Sequence, residues 1–157
     1  MMDSIENINS IVVQQYQQNR YPCFFVDYIT EAVPGKSAKG YKNFTFNEWY
    51  FPAHFPDEPS VPGFIQLEIL TQVFLMTFLT IPEYKGKKTA FVSNKCHYWK
   101  KIEPGQKLEV VAELNSFKRG LAKGISTGYV NGEIACKAEL EIVIPDVLAQ
   151  FRPAINR

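Results

Sequence analysis

Residues 64–81 form a nearly unbroken apolar run, with Pro62-Gly63 just before it and Pro82 just after it. A helix satisfies its own backbone over such a length, and one that is apolar on nearly every side must be enclosed by other elements. The rest of the chain therefore has to supply a wrapping layer. A membrane span is the poorer reading, because the run contains Gln66, Glu68 and Gln72, which are costly in lipid without partners.

The second half offers such a layer. Residues 89–93, 96–100, 107–114 and 120–130 read as strands, with a turn at Pro104-Gly105. Asn131-Gly132 is a type I′ hairpin signal. After it, Ile134, Cys136, Ala138, Leu140, Ile142 and Ile144 alternate with Glu133, Lys137, Glu139 and Glu141, giving one buried and one polar face. Pro145 stops this strand, and 146–157 reads as a loosely held tail.

Upstream, residues 4–18 carry Ile5, Ile8, Ile11, Val12 and Tyr16 near helical spacing, which predicts a short amphipathic helix with Ser4 as its cap. Arg20-Tyr21-Pro22 ends it. Residues 23–30 and 37–47 are strand candidates around the turn Pro34-Gly35-Lys36, and 83–88 is a charged surface turn. The expectation is one α+β domain over residues 1–157, a curved antiparallel sheet wrapped around a long central helix.

A net charge of +1 gives no general reason to bind nucleic acid or a membrane surface, and no RNP, helix-turn-helix or zinc-finger pattern is visible. Cys23, Cys96 and Cys136 are odd in number and far apart, so they read as reduced, mostly buried thiols rather than a disulfide or a metal site. The N-terminus shows no basic region followed by an apolar run, and a cytoplasmic location is expected.

Two titratable groups stand out. His54 lies in a loop, 49–63, stiffened by Pro52, Pro56, Pro59 and Pro62. Glu68 interrupts the apolar helix, where burial pushes a carboxyl pKa upward, and Gln72 follows one turn later on the same face. A histidine and a buried acid are the groups needed to move protons near neutral pH. The plainer alternatives are a hydrogen-bonded structural histidine and a Glu68 salt bridge to a lysine. His97 has no motif around it and reads as a surface histidine.

Several fixed points agree in order and spacing with a known family. Arg20-Tyr21-Pro22 with Phe25-Val26-Asp27, Pro34-Gly35-Lys36, Lys42-Asn43, Asn47-Glu48, His54-Phe55-Pro56 with Pro59, Pro62-Gly63, Glu68 and Gln72, then Pro104-Gly105 and Asn131-Gly132-Glu133, resemble the (3R)-hydroxyacyl-acyl-carrier-protein dehydratases of the FabZ type. The resemblance spans roughly residues 5–144 and implies a hot-dog fold. It implies His54 as the base at C2 and Glu68 as the acid at the 3-hydroxyl. Gly63, Pro62 and Phe55 would bind substrate, with the Gly63 amide on the thioester carbonyl, and Gln72 would orient Glu68.

It also implies an acyl-carrier-protein partner and a homodimer, possibly a trimer of dimers, whose sites take histidine and glutamate from opposite subunits. No cofactor and no metal are implied. Lys100, Lys101, Lys118, Arg119 and Lys123 are candidates for docking the acidic carrier. The chain departs from the family at Asp57, where glycine is usual, at Ile69 and Thr71, where alanines are common, and at Trp99-Lys100-Lys101. Those helix residues imply a narrower or reshaped acyl tunnel. Rival readings are a hot-dog thioesterase, an inactive scaffold subunit, and a dehydratase-isomerase, which usually has aspartate where Glu68 stands.

Overall fold

The computed structural model describes residues 2–153. Among the described residues seven strands form one antiparallel sheet: β1 (Ile5–Asn9), β2 (Tyr28–Val33), β3 (Ser37–Asn43), β4 (Ala90–Tyr98), β5 (Lys107–Lys118), β6 (Leu121–Val130) and β7 (Glu133–Val143). Their spatial order is β1-β2-β3-β5-β6-β7-β4, so β1 and β4 are the edges. The long helix α2 (Gly63–Leu79) lies on the sheet, and thirteen of its residues are buried. Ile69, Leu70, Val73, Phe74 and Phe78 face β-strand residues such as Leu108, Val110, Ala112 and Ala122 in one hydrophobic core. The Ser126 hydroxyl donates to the Leu70 carbonyl at 2.8 Å, tying β6 to the helix. The expected wrapped sheet and central helix are both present, and this is the hot-dog fold.

Four local expectations need correction. Residues 4–18 are not one helix. Ile5–Asn9 pairs with β2 as an edge strand, and only a single turn follows, α1 (Ser10–Val13). Asn9 rather than Ser4 caps that turn, its Oδ1 accepting the Val12 amide at 3.1 Å. Pairing with the sheet outweighed a helical period spread over few residues.

Residues 23–27 are not strand: the Gln72 side chain on α2 takes up the Cys23 carbonyl and the Phe25 amide, and contact with β3 begins only at Asp27, whose amide donates to the Tyr41 carbonyl at 3.1 Å. Residues 89–93 and 96–100 belong to one strand, β4, with an irregularity between Phe91 and Ser93. Pro145 ends β7 but opens a short helix, α3 (Pro145–Ala149), whose Val147 is buried, so this part of the tail is packed. Residues 154–157 of that tail lie outside the described residues. Cys136 is buried and Cys96 half-buried as expected, whereas Cys23 is exposed.

Candidate active site

Helix α2 begins without a side-chain cap, since Pro62 occupies the cap position. The Ile65 and Gln66 amides turn back to the Pro62 carbonyl, so the Gly63 and Phe64 amides are the ones that face outward at the positive end of the helix. A Cβ added at Gly63 would come within 3.2 Å of the Tyr98 ring, so glycine is what lets β4 close over this helix start.

One stripe of α2, containing Phe64, Leu67 and Glu68, is not covered by the sheet. Glu68 lies between two hollows on that stripe. One, of about 450 Å³, is apolar and is walled by Cys23, Phe25, Trp49, Phe64 and Leu67. The other, of about 180 Å³, lies between helix and β4 and is walled by Thr71, Leu75, Phe91 and Ile142. Burial pushes the Glu68 carboxyl pKa up, and a hydrogen bond from Gln72 offsets part of the rise. That bond, Gln72 Nε2 to Glu68 Oε1, is 3.0 Å long.

The Gln72 carboxamide is itself fixed. Its Nε2 also donates to the Cys23 carbonyl at 2.7 Å, and its Oε1 accepts the Phe25 amide at 2.9 Å. The partner of Glu68 is therefore this amide and not the lysine of the plainer reading. The donor set leaves the carboxyl free to hold or release a proton.

His54 is half-buried in its loop. Its Nδ1 lies 3.0 Å from the Ser60 carbonyl, which can only accept, and 3.3 Å from the Ser60 hydroxyl; with the carbonyl as partner, the neutral imidazole carries its proton on Nδ1 and its lone pair on Nε2. The Ser60 amide donates back to the His54 carbonyl at 2.9 Å. The Phe55 ring stacks on the imidazole, with centroids 4.2 Å apart. Sequence reasoning missed Ser60, because a backbone carbonyl leaves no trace in side-chain identity. Among the described residues no hydrogen bond joins His54 to Glu68; one is held by its loop and the other by Gln72.

The docking candidates do not form one surface. Lys100 pairs with Glu133, and Lys101 with Glu58 at 2.6 Å and Glu103 at 3.5 Å, all beside the His54 loop. Lys101 thus takes up one of the two acidic side chains that follow His54-Phe55-Pro56. Lys118 and Arg119 sit at the β5–β6 turn, level with the start of β4 and roughly 26 Å of strand from Tyr98. Arg119 lies over the Phe151 ring, and Lys123 pairs with Glu141 at 2.8 Å. His97 is exposed and stacks on Trp99.

A buried helix that presents one desolvated carboxyl to a groove, inside a wrapped antiparallel sheet, defines a hot-dog protein equipped for acid–base chemistry. The FabA-like domain family model matches residues 18–139, and the chain belongs to that family. A curated relative from Clostridium botulinum (strain Okra), the 3-hydroxyacyl-[acyl-carrier-protein] dehydratase FabZ, is 42% identical over 144 residues, 91% of this chain and 99% of the relative. The protein of the same name from Clostridium novyi is 39% identical over 84% of this chain and 94% of its own.

Among solved structures, a chain of the dehydratase heterocomplex ApeI:P from Xenorhabdus doucetiae superposes with a TM-score of 0.74 at 12% identity, covering 92% of this chain and 97% of that one. The uncharacterized protein PH1136 from Pyrococcus horikoshii reaches 0.65 at 10% identity, covering 91% and 95%. At such identities these two likenesses speak for the fold alone.

Proposed function

We propose that this protein is a 3-hydroxyacyl-[acyl-carrier-protein] dehydratase of fatty-acid or related acyl-chain synthesis, acting in the cytoplasm. The observation that carries the reading is Glu68: a desolvated carboxyl, aimed by Gln72, opening onto an apolar groove. The relatives named for this activity, at about 42% identity over nearly the whole chain, support it. His54 Nε2 removes a proton from C2 of the thioester. The electron pair forms the C2–C3 double bond, the C3–O bond breaks, and Glu68 protonates the departing hydroxyl as water. The Gly63 amide, with the helix dipole behind it, holds the charge that develops on the thioester oxygen. Pro62 and Phe55 shape the approach to the two proton-transfer groups. No described helix is long and apolar enough to cross a membrane.

His54 and Glu68 act across a homodimer in this reading. Strand β4 is a sheet edge with Phe91 and Val92 exposed, an unprotected row of backbone groups ready to pair. The His54 loop and Gly63 adjoin its C-terminal end, through Tyr98 and Lys101. The Glu68 hollow adjoins its N-terminal end, at Ala90 and Phe91. Antiparallel pairing of β4 with a second copy carries the His54 end of one protomer toward the Glu68 groove of the other. Lys100 and Lys101, beside that entrance, are the docking cations best placed for an acidic carrier.

The test is conversion of a short 3-hydroxyacyl-carrier thioester, followed by enoyl absorbance and mass, with wild type, His54→Ala and Glu68→Gln. Loss of one water by wild type alone supports the dehydratase and both roles. Release of free thiol would make it a thioesterase. An intact but inert dimer, tested over several chain lengths, would leave the scaffold reading.

A further inference from the structure

The Lys42–Glu48 ion pair is left unexplained by the chemistry above. Lys42 lies near the end of β3, an interior strand of the sheet, opposite Leu108 of β5, and only 8% of it is exposed. A lysine so enclosed stays charged only with partners. Its Nζ lies 2.7 Å from Glu48 Oε1 and 3.4 Å from Asp27 Oδ2. The Tyr50 hydroxyl, buried close to the same carboxylates, has its pKa raised by burial, then by Glu48 and Asp27.

The two acids differ in what else they touch. Asp27 accepts the Asn43 amide at 2.7 Å and so stays within the strands. Glu48 opens the loop that carries His54. Its carbonyl accepts the Phe51 amide at 3.2 Å, and the Phe51 carbonyl accepts the His54 amide at 3.3 Å. Two successive turns therefore run from the ion pair to the catalytic histidine. The far end of the same loop is held separately, by the Val61 amide on the Ile102 carbonyl at 2.8 Å.

We propose that Lys42 and Glu48 are positioning residues for His54: the buried lysine fixes Glu48, and the turns that begin there set where the imidazole stands. The proposal rests on the dehydratase reading where turnover is the measure. Displacing a catalytic group by about 1 Å costs on the order of 10²-fold in rate. Glu48→Gln keeps an acceptor of the same length but gives up the charge, and Lys42→Met removes the anchor. Both should lower kcat about 10- to 100-fold at nearly constant KM, with Lys42→Arg recovering most of the loss. Asp27→Asn removes the other ion pair without touching the loop. It should lower Tm to a similar extent but leave kcat within about twofold.

A second readout is independent of turnover. The chain has two histidines, so the imidazole region of an NMR spectrum contains His54 and one internal control, His97 on β4. The His54 ring signals should shift or broaden in Glu48→Gln and Lys42→Met, with His97 unmoved and Asp27→Asn like wild type. If Lys42→Met does not fold, Glu48→Gln carries the test. An unchanged His54 signal in folded Glu48→Gln overturns the proposal, as does an equal change in Asp27→Asn. An inactive wild type whose His54 signal still responds to Glu48→Gln would refute the dehydratase reading and leave the positioning role standing.

Discussion

At Glu68 two demands meet on one helix face. The side chain has to be buried enough for its pKa to rise, yet open to a substrate. Burial raises the carboxyl pKa, and Gln72, its carboxamide locked to residues 23–25, aims the carboxyl with its remaining N–H while offsetting part of that rise. The raised pKa has a consequence for stability. A carboxyl whose folded pKa lies above its unfolded value favours folding most below the unfolded pKa and progressively less as pH rises through the folded one. Glu68→Gln should therefore raise Tm relative to wild type at neutral and alkaline pH, and the difference should vanish below the ordinary glutamate value of 4.5. Thermal melts of both proteins across that range check this, and a constant difference at every pH would place its cause elsewhere. Gly63 entered through the family resemblance, whereas His54, Glu68 and Gln72 could be picked from the sequence because proline spacing, an isolated acid in an apolar helix and its neighbour one turn on are visible there. The Ser60 carbonyl that selects the His54 tautomer could not, since it depends on how the loop folds back.

Among the elements, β6 is fitted closely against both β5 and α2. A Cβ at Gly124 of β6 would run into the Glu113 carbonyl and come within 2.5 Å of Phe74 on the helix; one at Gly128 would meet Leu108 at 2.8 Å and Cys136 Sγ at 2.9 Å. Neither neighbour at Gly124 is a free side-chain end, so Gly124→Ala should cost about 1–3 kcal/mol or more. Chemical denaturation should show a lower midpoint with little change in slope. The same close fit explains which elements were readable. The alternation through β7 and the apolar length of α2 gave their types correctly, because each is long enough for its period to dominate. The N-terminal segment was misread as helix because its few isoleucines fit either period, and β2 offered an edge to pair with.

For the whole molecule, the arrangement along β4 makes a prediction about symmetry. If His54 and Glu68 act across the dimer, His54→Ala and Glu68→Gln proteins are each inactive, but a mixed dimer of the two contains one complete site. Refolding them together in equal amounts should restore about a quarter of the wild-type rate, since half the dimers are mixed and each has one of two sites intact. No recovery with demonstrated subunit exchange would place both groups within one protomer. Placing a charge on the edge, Val92→Lys, should shift the sedimentation coefficient toward the monomer and reduce turnover with it.

A long apolar helix that needs a wrapping sheet, a stiff loop around His54 and one acid inside the helix are all legible along the chain. These are properties of period, proline spacing and residue type, all local along the chain. Three features had to wait for the folded molecule: Gln72 also ties down the segment before β2, Lys42 is buried against the start of the His54 loop, and β4 is left as an open edge. The Gln72 bonds to residues 23 and 25 and the strand order join segments distant in sequence, and the Lys42–Glu48 pair depends on how the chain turns after β3, so no local pattern records them.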